Sequence, residues 1–541
     1  MKNLHKLALT AAAMTLSLTS GAKVILPKFF TSRMVLQQNS TVSIPCITDP
    51  QKKVIVSVSW QKQQQEITAG PDGKFTATVT VPKASKQALW ISFDDGETTL
   101  LEDVYAGEVW LCGGQSNMEM PIQGWGCILN YEEERDNANY PLIRFLQVSN
   151  QLAFSPQEDT NVNMNGWQPC SPSTAANFSA LAYFFGRALH TNLDIPIGLV
   201  YSAWGGTPAE SWVSVETAKS VGGFESEIEL YESCNFDRDA ILAKDPSAEH
   251  YQKATLEYNA MIYPLRVMPI AGAIWYQGES NVGREKQYTS LFKGLINNWR
   301  ELWGKDFPFY FVQLAGYMTK VEVQPMSSWA ALRWSQKDAL ELDNTGMATA
   351  IDVGDQNDIH PKNKQEVGRR LSLLALKNTY GFTDIIDKAP ELKSYSFTNR
   401  KAVLTFSGKL TVKDAVLPGG FIMETPNGRF LKGGATLEND STVSVTGMFI
   451  GIPRSVRYNW ADFPSGNLYG ENDLPVLPFR TDDMSGIING IKQIKTGDSN
   501  AKTGVYSIEG VPVRLNSSYD SATNGLPQGV YIVDGKKTLV K

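Results

Sequence analysis

Histidine is nearly missing from this chain, with four in 541 residues, and cysteine is little commoner, with five. So few imidazoles exclude a histidine-rich metal site, and no motif supports one built from carboxylates alone. No cofactor or metal is expected. Cys46, Cys112, Cys127, Cys170 and Cys234 are scattered without a C-x-x-C pair, which argues against a zinc ribbon or a disulfide framework. One bridge or none is expected, and Cys112, on an apolar strand, is the expected buried thiol. The formal net charge of -6 is mild and points to neither nucleic acid nor an anionic membrane surface. Past the first residues no apolar run reaches the roughly 20 residues that a membrane span needs. No repeat of solenoid type is visible.

What is present begins with a leader pattern. Lys2 and Lys6 precede the apolar stretch from Leu7 to Leu18, and Thr19-Ser20-Gly21-Ala22 follows. A short positive start, an apolar run of about 7–15 residues and small residues at its end fit a secretory signal over residues 1–22. Export to the periplasm, the cell surface or the medium is therefore expected. The remainder is too long for one core, since domains usually run to about 100–200 residues. Residues 23–104 alternate apolar and polar positions around the turn Pro71-Asp72-Gly73 and read as a β-sandwich. Residues 105–390 alternate short apolar strands with amphipathic helices, which implies an α/β domain of three layers with a mostly parallel sheet. Its expected strands are Glu108–Cys112, Ile197–Ser202, Ala271–Tyr276, Phe309–Leu314 and Met347–Asp352. Strand patterns return over residues 391–483, and residues 484–541 form a β-rich appendage behind a polar linker.

In such a sheet, function gathers at the carboxyl ends of the strands. Four polar turns stand there. Gly113-Gly114-Gln115-Ser116-Asn117 follows the first strand, Trp204-Gly205-Gly206-Thr207 the second, Gln277-Gly278-Glu279-Ser280-Asn281 the third, and Asp355-Gln356-Asn357-Asp358-Ile359-His360 the last. Of the four histidines, only His360 sits in a loop between a strand and a helix. A hydroxyl, a base and fixed hydrogen-bond donors are what acyl transfer requires. Ser116 and Ser280 occupy nearly identical turns, so both are candidate nucleophiles. No Gly-x-Ser-x-Gly elbow surrounds Ser116, which argues against a lipase.

These blocks resemble the sialate O-acetylesterase family, SGNH hydrolases that act on carbohydrate acetyl esters. The likeness rests on Trp110–Glu119, Gly205–Trp212, Trp275–Asn281 and Ile359-His360-Pro361 with Lys364 and Gly368–Leu371. It extends to Met34–Gln38 and to Val456–Asp462 and Leu474–Arg480, so it covers roughly residues 24–481. The resemblance implies Ser116 as nucleophile and His360 as base, with the Ser116 N–H, the Gly206 N–H and the Asn281 side chain as oxyanion donors. The partner it implies is an acetylated sugar or glycan. Many SGNH enzymes carry Asp three residues before the histidine, but Asn357 stands there; Asp358 or a backbone carbonyl is left to orient His360. Gln115, Gln277 and Glu279 are candidate substrate contacts or loop braces, and Trp125, Trp204 and Trp212 are candidate walls of a sugar cleft. Two other readings stay open: a deacetylase of plant polysaccharides such as acetylated xylan, and a non-catalytic surface carbohydrate-binding protein.

Overall fold

The computed structural model describes residues 23–482 and, further on, 503–507, 512–517, 526, 529–533 and 536–540. The expected leader lies outside the described residues, as does the expected linker up to residue 502. The chain divides into two compact units, Met1–Asp483 and Met484–Lys541. The second is an antiparallel sheet of four strands, in the order Pro512–Ser517, Thr503–Ser507, Gly529–Val533 and Lys536–Val540.

In the larger unit one strand, Thr98–Gly114, joins two kinds of sheet. Its first residues alternate exposed and buried, as in a sheet with one wet face, and pair antiparallel with Leu89–Asp94. From Val104 onward every residue is buried, as in a strand covered on both faces. The boundary expected after residue 104 thus falls inside a continuous strand, and one hydrophobic core runs from Val24 to Leu376. The N-terminal strands Thr41–Ile47 and Lys74–Thr80 pair antiparallel, and the alternation Val42, Ile44, Cys46 with Phe75, Ala77, Val79 sets their inward faces.

The central sheet runs in the order Thr345–Thr349, Phe309–Gln313, Gly272–Tyr276, Thr98–Gly114, Ile197–Ala203, Tyr140–Gln147, Gln168–Cys170. All neighbours are parallel except the last pair, so the sheet is mixed rather than purely parallel. Helices cover both faces. Trp110 points toward Phe185 of the helix Ala180–Leu193, which packs on the helix Lys364–Asn378. One residue out of phase, Gly113 faces Trp275 and Trp299, the latter on the helix Glu285–Trp303. The first strand of the domain is central and the chain departs to both sides of it, which leaves a crevice at its carboxyl end.

Residues 391–482 form antiparallel sheets around a separate core that includes Leu404, Phe421, Val443, Tyr458 and Phe479. Fully buried Arg333 ties this part to the α/β domain, donating to the carbonyl oxygens of Leu314, Ala315, Ala461 and Asp462. That arrangement satisfies a cation that would be costly to bury alone. All five cysteines are free thiols, and Cys112 is buried. No helix among the described residues is long and apolar enough to cross a membrane.

Candidate active site

Ser116 opens a one-turn helix, Ser116–Glu119, directly beyond the central strand. Gly114 makes this turn possible: its φ is 145°, and a Cβ there would stand 2.2 Å from the carbonyl oxygen of Tyr276. At the first helical position the Ser116 N–H has no acceptor within its own helix. The Gly205-Gly206 turn presses against it from the neighbouring strand. A Cβ on Gly205 would lie 2.8 Å from Glu119 Oε2 and 3.3 Å from Ser116 Cβ. The Gly205 N–H donates to Glu119 Oε2 at 2.6 Å, which fixes the turn. Gly206 has φ 80°, with the Tyr251 ring 3.0 Å from where a Cβ would stand. Among the described residues no protein acceptor takes the Gly206 N–H.

Asn281 comes from the strand on the other side. Its Oδ1 accepts from the Ala209 N–H at 2.9 Å and from Gln277 Nε2 at 2.6 Å, and its Nδ2 donates to Glu210 Oε2 at 2.9 Å. Glu210 is itself buried and paired with Arg284 at 2.7 Å. An amide nitrogen carries two hydrogens, so one Asn281 N–H is left over after the amide has been locked in orientation.

His360 arrives last, on the long loop between the edge strand Thr345–Thr349 and the helix Lys364–Asn378. Its Nε2 stands 2.9 Å from Ser116 Oγ. On its other side Nδ1 is 3.5 Å from Asp358 Oδ1, beyond the range of an N–H···O hydrogen bond, and that oxygen accepts instead from the His360 backbone N–H at 2.9 Å. Trp125, 55% exposed, meets the imidazole edge-on at 4.9 Å between centroids. Burial first, and then the charge of Lys364, hold the His360 pKa below the usual imidazole value, against the opposing pull of Asp358. A base so held stays neutral, able to accept a proton, to lower pH than a free imidazole. Burial raises the pKa of the nearby Glu119 and Glu279 carboxyls.

A family model described as carbohydrate esterase, sialic acid-specific acetylesterase, matches residues 106–377, half of the chain. The chain belongs to this family. It is 33% identical to the mouse (Mus musculus) sialate O-acetylesterase over 355 residues, which is 58% of this chain and 65% of that one. The human (Homo sapiens) sialate O-acetylesterase is also 33% identical, over 335 residues, 57% of this chain and 60% of that one. The chain thus spans less than two thirds of the length of these curated relatives. The crystal structure of a carbohydrate acetylesterase from Xanthomonas citri superposes with a TM-score of 0.73 at 32% identity, covering 85% of this chain and 100% of that one.

In this chain Ser116, Gly206, Asn281 and His360 stand on loops at one end of the sheet, with Ser116 and His360 in contact, while other candidate residues turn inward. Gln115 and Gln277, candidates for substrate contact or for bracing the loop, are 3% and 0% exposed. Gln115 Oε1 accepts from the N–H groups of Gly278 and Ser280, and Gln277 bridges Asn281 and the Tyr288 hydroxyl. Both side chains are spent on bracing the turns. Glu279 also points inward: its Oε1 accepts from Asn117 Nδ2 at 2.5 Å, behind the Ser-His pair. Trp212 is buried with its N–H on Thr207, so it is core, whereas Trp204 is partly exposed and stacks on Tyr251. Sequence reasoning passed over Glu210, Tyr251 and Asn117. Glu210 sits in the matched second block and Asn117 beside Ser116, so their positions were on view, but their partners come from distant loops. No group of three or more His, Cys, Asp or Glu among the described residues is arranged to hold a metal.

Proposed function

We propose that this protein is a carbohydrate O-acetylesterase of SGNH type that removes O-acetyl groups from sialic acids through an acetyl-enzyme on Ser116. The observation that carries the reading is the 2.9 Å approach of Ser116 Oγ to His360 Nε2, beside strand-end turns that offer unused donors at Ser116, Gly206 and Asn281. In this mechanism Ser116 Oγ attacks the ester carbonyl as His360 takes its proton. Negative charge develops on the carbonyl oxygen, where the two backbone N–H groups and the spare Asn281 N–H stabilise it. His360 returns the proton to the departing sugar hydroxyl, then activates a water that releases acetate. Asp358 is 43% exposed at the side chain and acts on the imidazolium only as a screened charge. The pair is therefore essentially a dyad. Trp125 and the Trp204–Tyr251 stack offer aromatic faces to the sugar.

The names of the two mammalian relatives support sialate as the sugar, and the Xanthomonas citri neighbour supports carbohydrate acetyl esters as the class. Export, with cleavage before Lys23, belongs to the same proposal and rests on Lys2, Lys6 and the apolar run after them. The test is acetate release from 9-O-acetylated sialic acid and from acetylated xylan, side by side, with Ser116→Ala as the blank. Release from the sialic acid alone is expected. Release from xylan alone moves the substrate to plant polysaccharides, and release from neither leaves a carbohydrate-binding protein.

A further inference from the structure

Behind the Ser-His pair lies a set of buried polar groups that the esterase reading does not use. Lys364, on the first turn of the helix Lys364–Asn378, is 0% exposed. Its Nζ donates to Asn117 Oδ1 at 2.6 Å and lies 5.5 Å from the centre of the Tyr276 ring. Asn117 passes the connection on: its Nδ2 donates to Glu279 Oε1 at 2.5 Å and to the carbonyl oxygen of Ile359 at 3.1 Å. The second Glu279 oxygen is buried without a hydrogen-bond partner. Asn117 follows Ser116 in the chain and Ile359 precedes His360. One amide therefore clamps the backbone that carries the hydroxyl to the backbone that carries the base, with a cation at one end and a carboxylate at the other.

We propose that Lys364, Asn117 and Glu279 form a positioning unit that holds His360 against Ser116 and biases His360 toward its neutral form. The proposal rests on the esterase reading and deepens it. Charge at both ends polarises the Asn117 amide and shortens its bonds, as charge-assisted hydrogen bonds do. No ion pair joins Lys364 directly to Glu279, so the amide is the link through which they act together. Burial lowers the Lys364 pKa to about 7, with Glu279 and then Asp358 opposing. The charged groups that act on His360 are Lys364 from the helix and Asp358 from its own loop, while Glu279 and Glu119 are partly buried on the neighbouring strand-end turns. Of these, Lys364 alone is a cation, and it disfavours the imidazolium.

The test uses the rate at which a fluorophosphonate labels Ser116, which reports the Ser-His pair without needing the natural sugar. In that reaction Oγ forms a bond to phosphorus, fluoride leaves and His360 takes the proton. Lys364→Met is expected to slow labelling about tenfold at its plateau and to move the acid-side midpoint up by about half to one pH unit, since a nearby cation has been removed. Glu279→Gln keeps the shape of the side chain and is expected to fold and to label at least about fivefold more slowly, with thermal unfolding within a few degrees of the parent. It decides the matter if Lys364→Met does not fold. A folded Lys364→Met with an unmoved midpoint, or a folded Glu279→Gln that labels at the parent rate, overturns the proposal. Failure of the esterase reading is distinguishable, because the parent would then not label, or labelling would persist in Ser116→Ala.

Discussion

The turn Gly114-Gln115-Ser116-Asn117 and the turn Gly278-Glu279-Ser280-Asn281 follow neighbouring parallel strands and share the order Gly, Gln or Glu, Ser, Asn. Each glycine has a large positive φ, 145° at Gly114 and 155° at Gly278. The two turns also reach into each other: Gln115 accepts from the backbone of the second turn, while Glu279 accepts from the asparagine of the first. They differ in what meets them from outside. The first turn receives His360, which lies 244 residues further along the chain. The second receives Glu210 and the Ala209 N–H, which fix the Asn281 amide, and among the described residues no histidine reaches Ser280. On the proposed mechanism one local pattern supplies either a nucleophile or an oxyanion donor, and the third strand-end loop to arrive decides which.

Substitutions that break this division of labour should rank in a definite order. Ser116→Ala and His360→Ala each remove half of the reacting pair, and kcat for a small acetyl ester such as p-nitrophenyl acetate should fall by about 10⁴-fold or more. Asn281→Ala removes one donor to the developing oxyanion, so kcat should fall by about 10²–10³-fold with a much smaller change in KM. Asp358→Asn should cost less than about tenfold, because the carboxylate is half exposed and 3.5 Å from the ring. Its sign shows in the pH profile. Asp358 raises the His360 pKa, so its removal should move the acid limb of kcat/KM to lower pH. Ser280→Ala should leave kcat within about twofold of the parent, since the side chain holds no partner that the mechanism needs. If Ser280→Ala abolished turnover while Ser116→Ala retained it, the two turns would have exchanged roles.

Much of this was legible beforehand because strands buried on both faces announce themselves as short apolar runs. Four of the five expected strands lie where the pattern put them. The fifth, expected over Met347–Asp352, runs instead over Thr345–Thr349, because Asp352 leaves the sheet to pair with Arg370 at 2.6 Å. The antiparallel edge strand Gln168–Cys170 was not foreseen: three residues carry no periodicity to read. Gln115 and Gln277 stayed between substrate contact and loop brace for a related reason. A glutamine in a polar loop has the same sequence signature whether it meets a ligand or a neighbouring backbone, and only the fold supplied the backbone.

By itself the sequence determined which residue types stand at the four strand ends. Glycine, serine, asparagine and histidine are chemical identities that no packing can change, and the turns that carry them follow directly from the strands before them. The tertiary structure alone decided the distances and the burial. It brought His360 to Ser116 and not to Ser280, held Asp358 at 3.5 Å, and enclosed Lys364 behind the pair. The physical reason is range. Strand and turn preferences act over a few residues, whereas a hydrogen bond across 244 residues, or the desolvation of a lysine, exists only once the sheet has brought distant loops together.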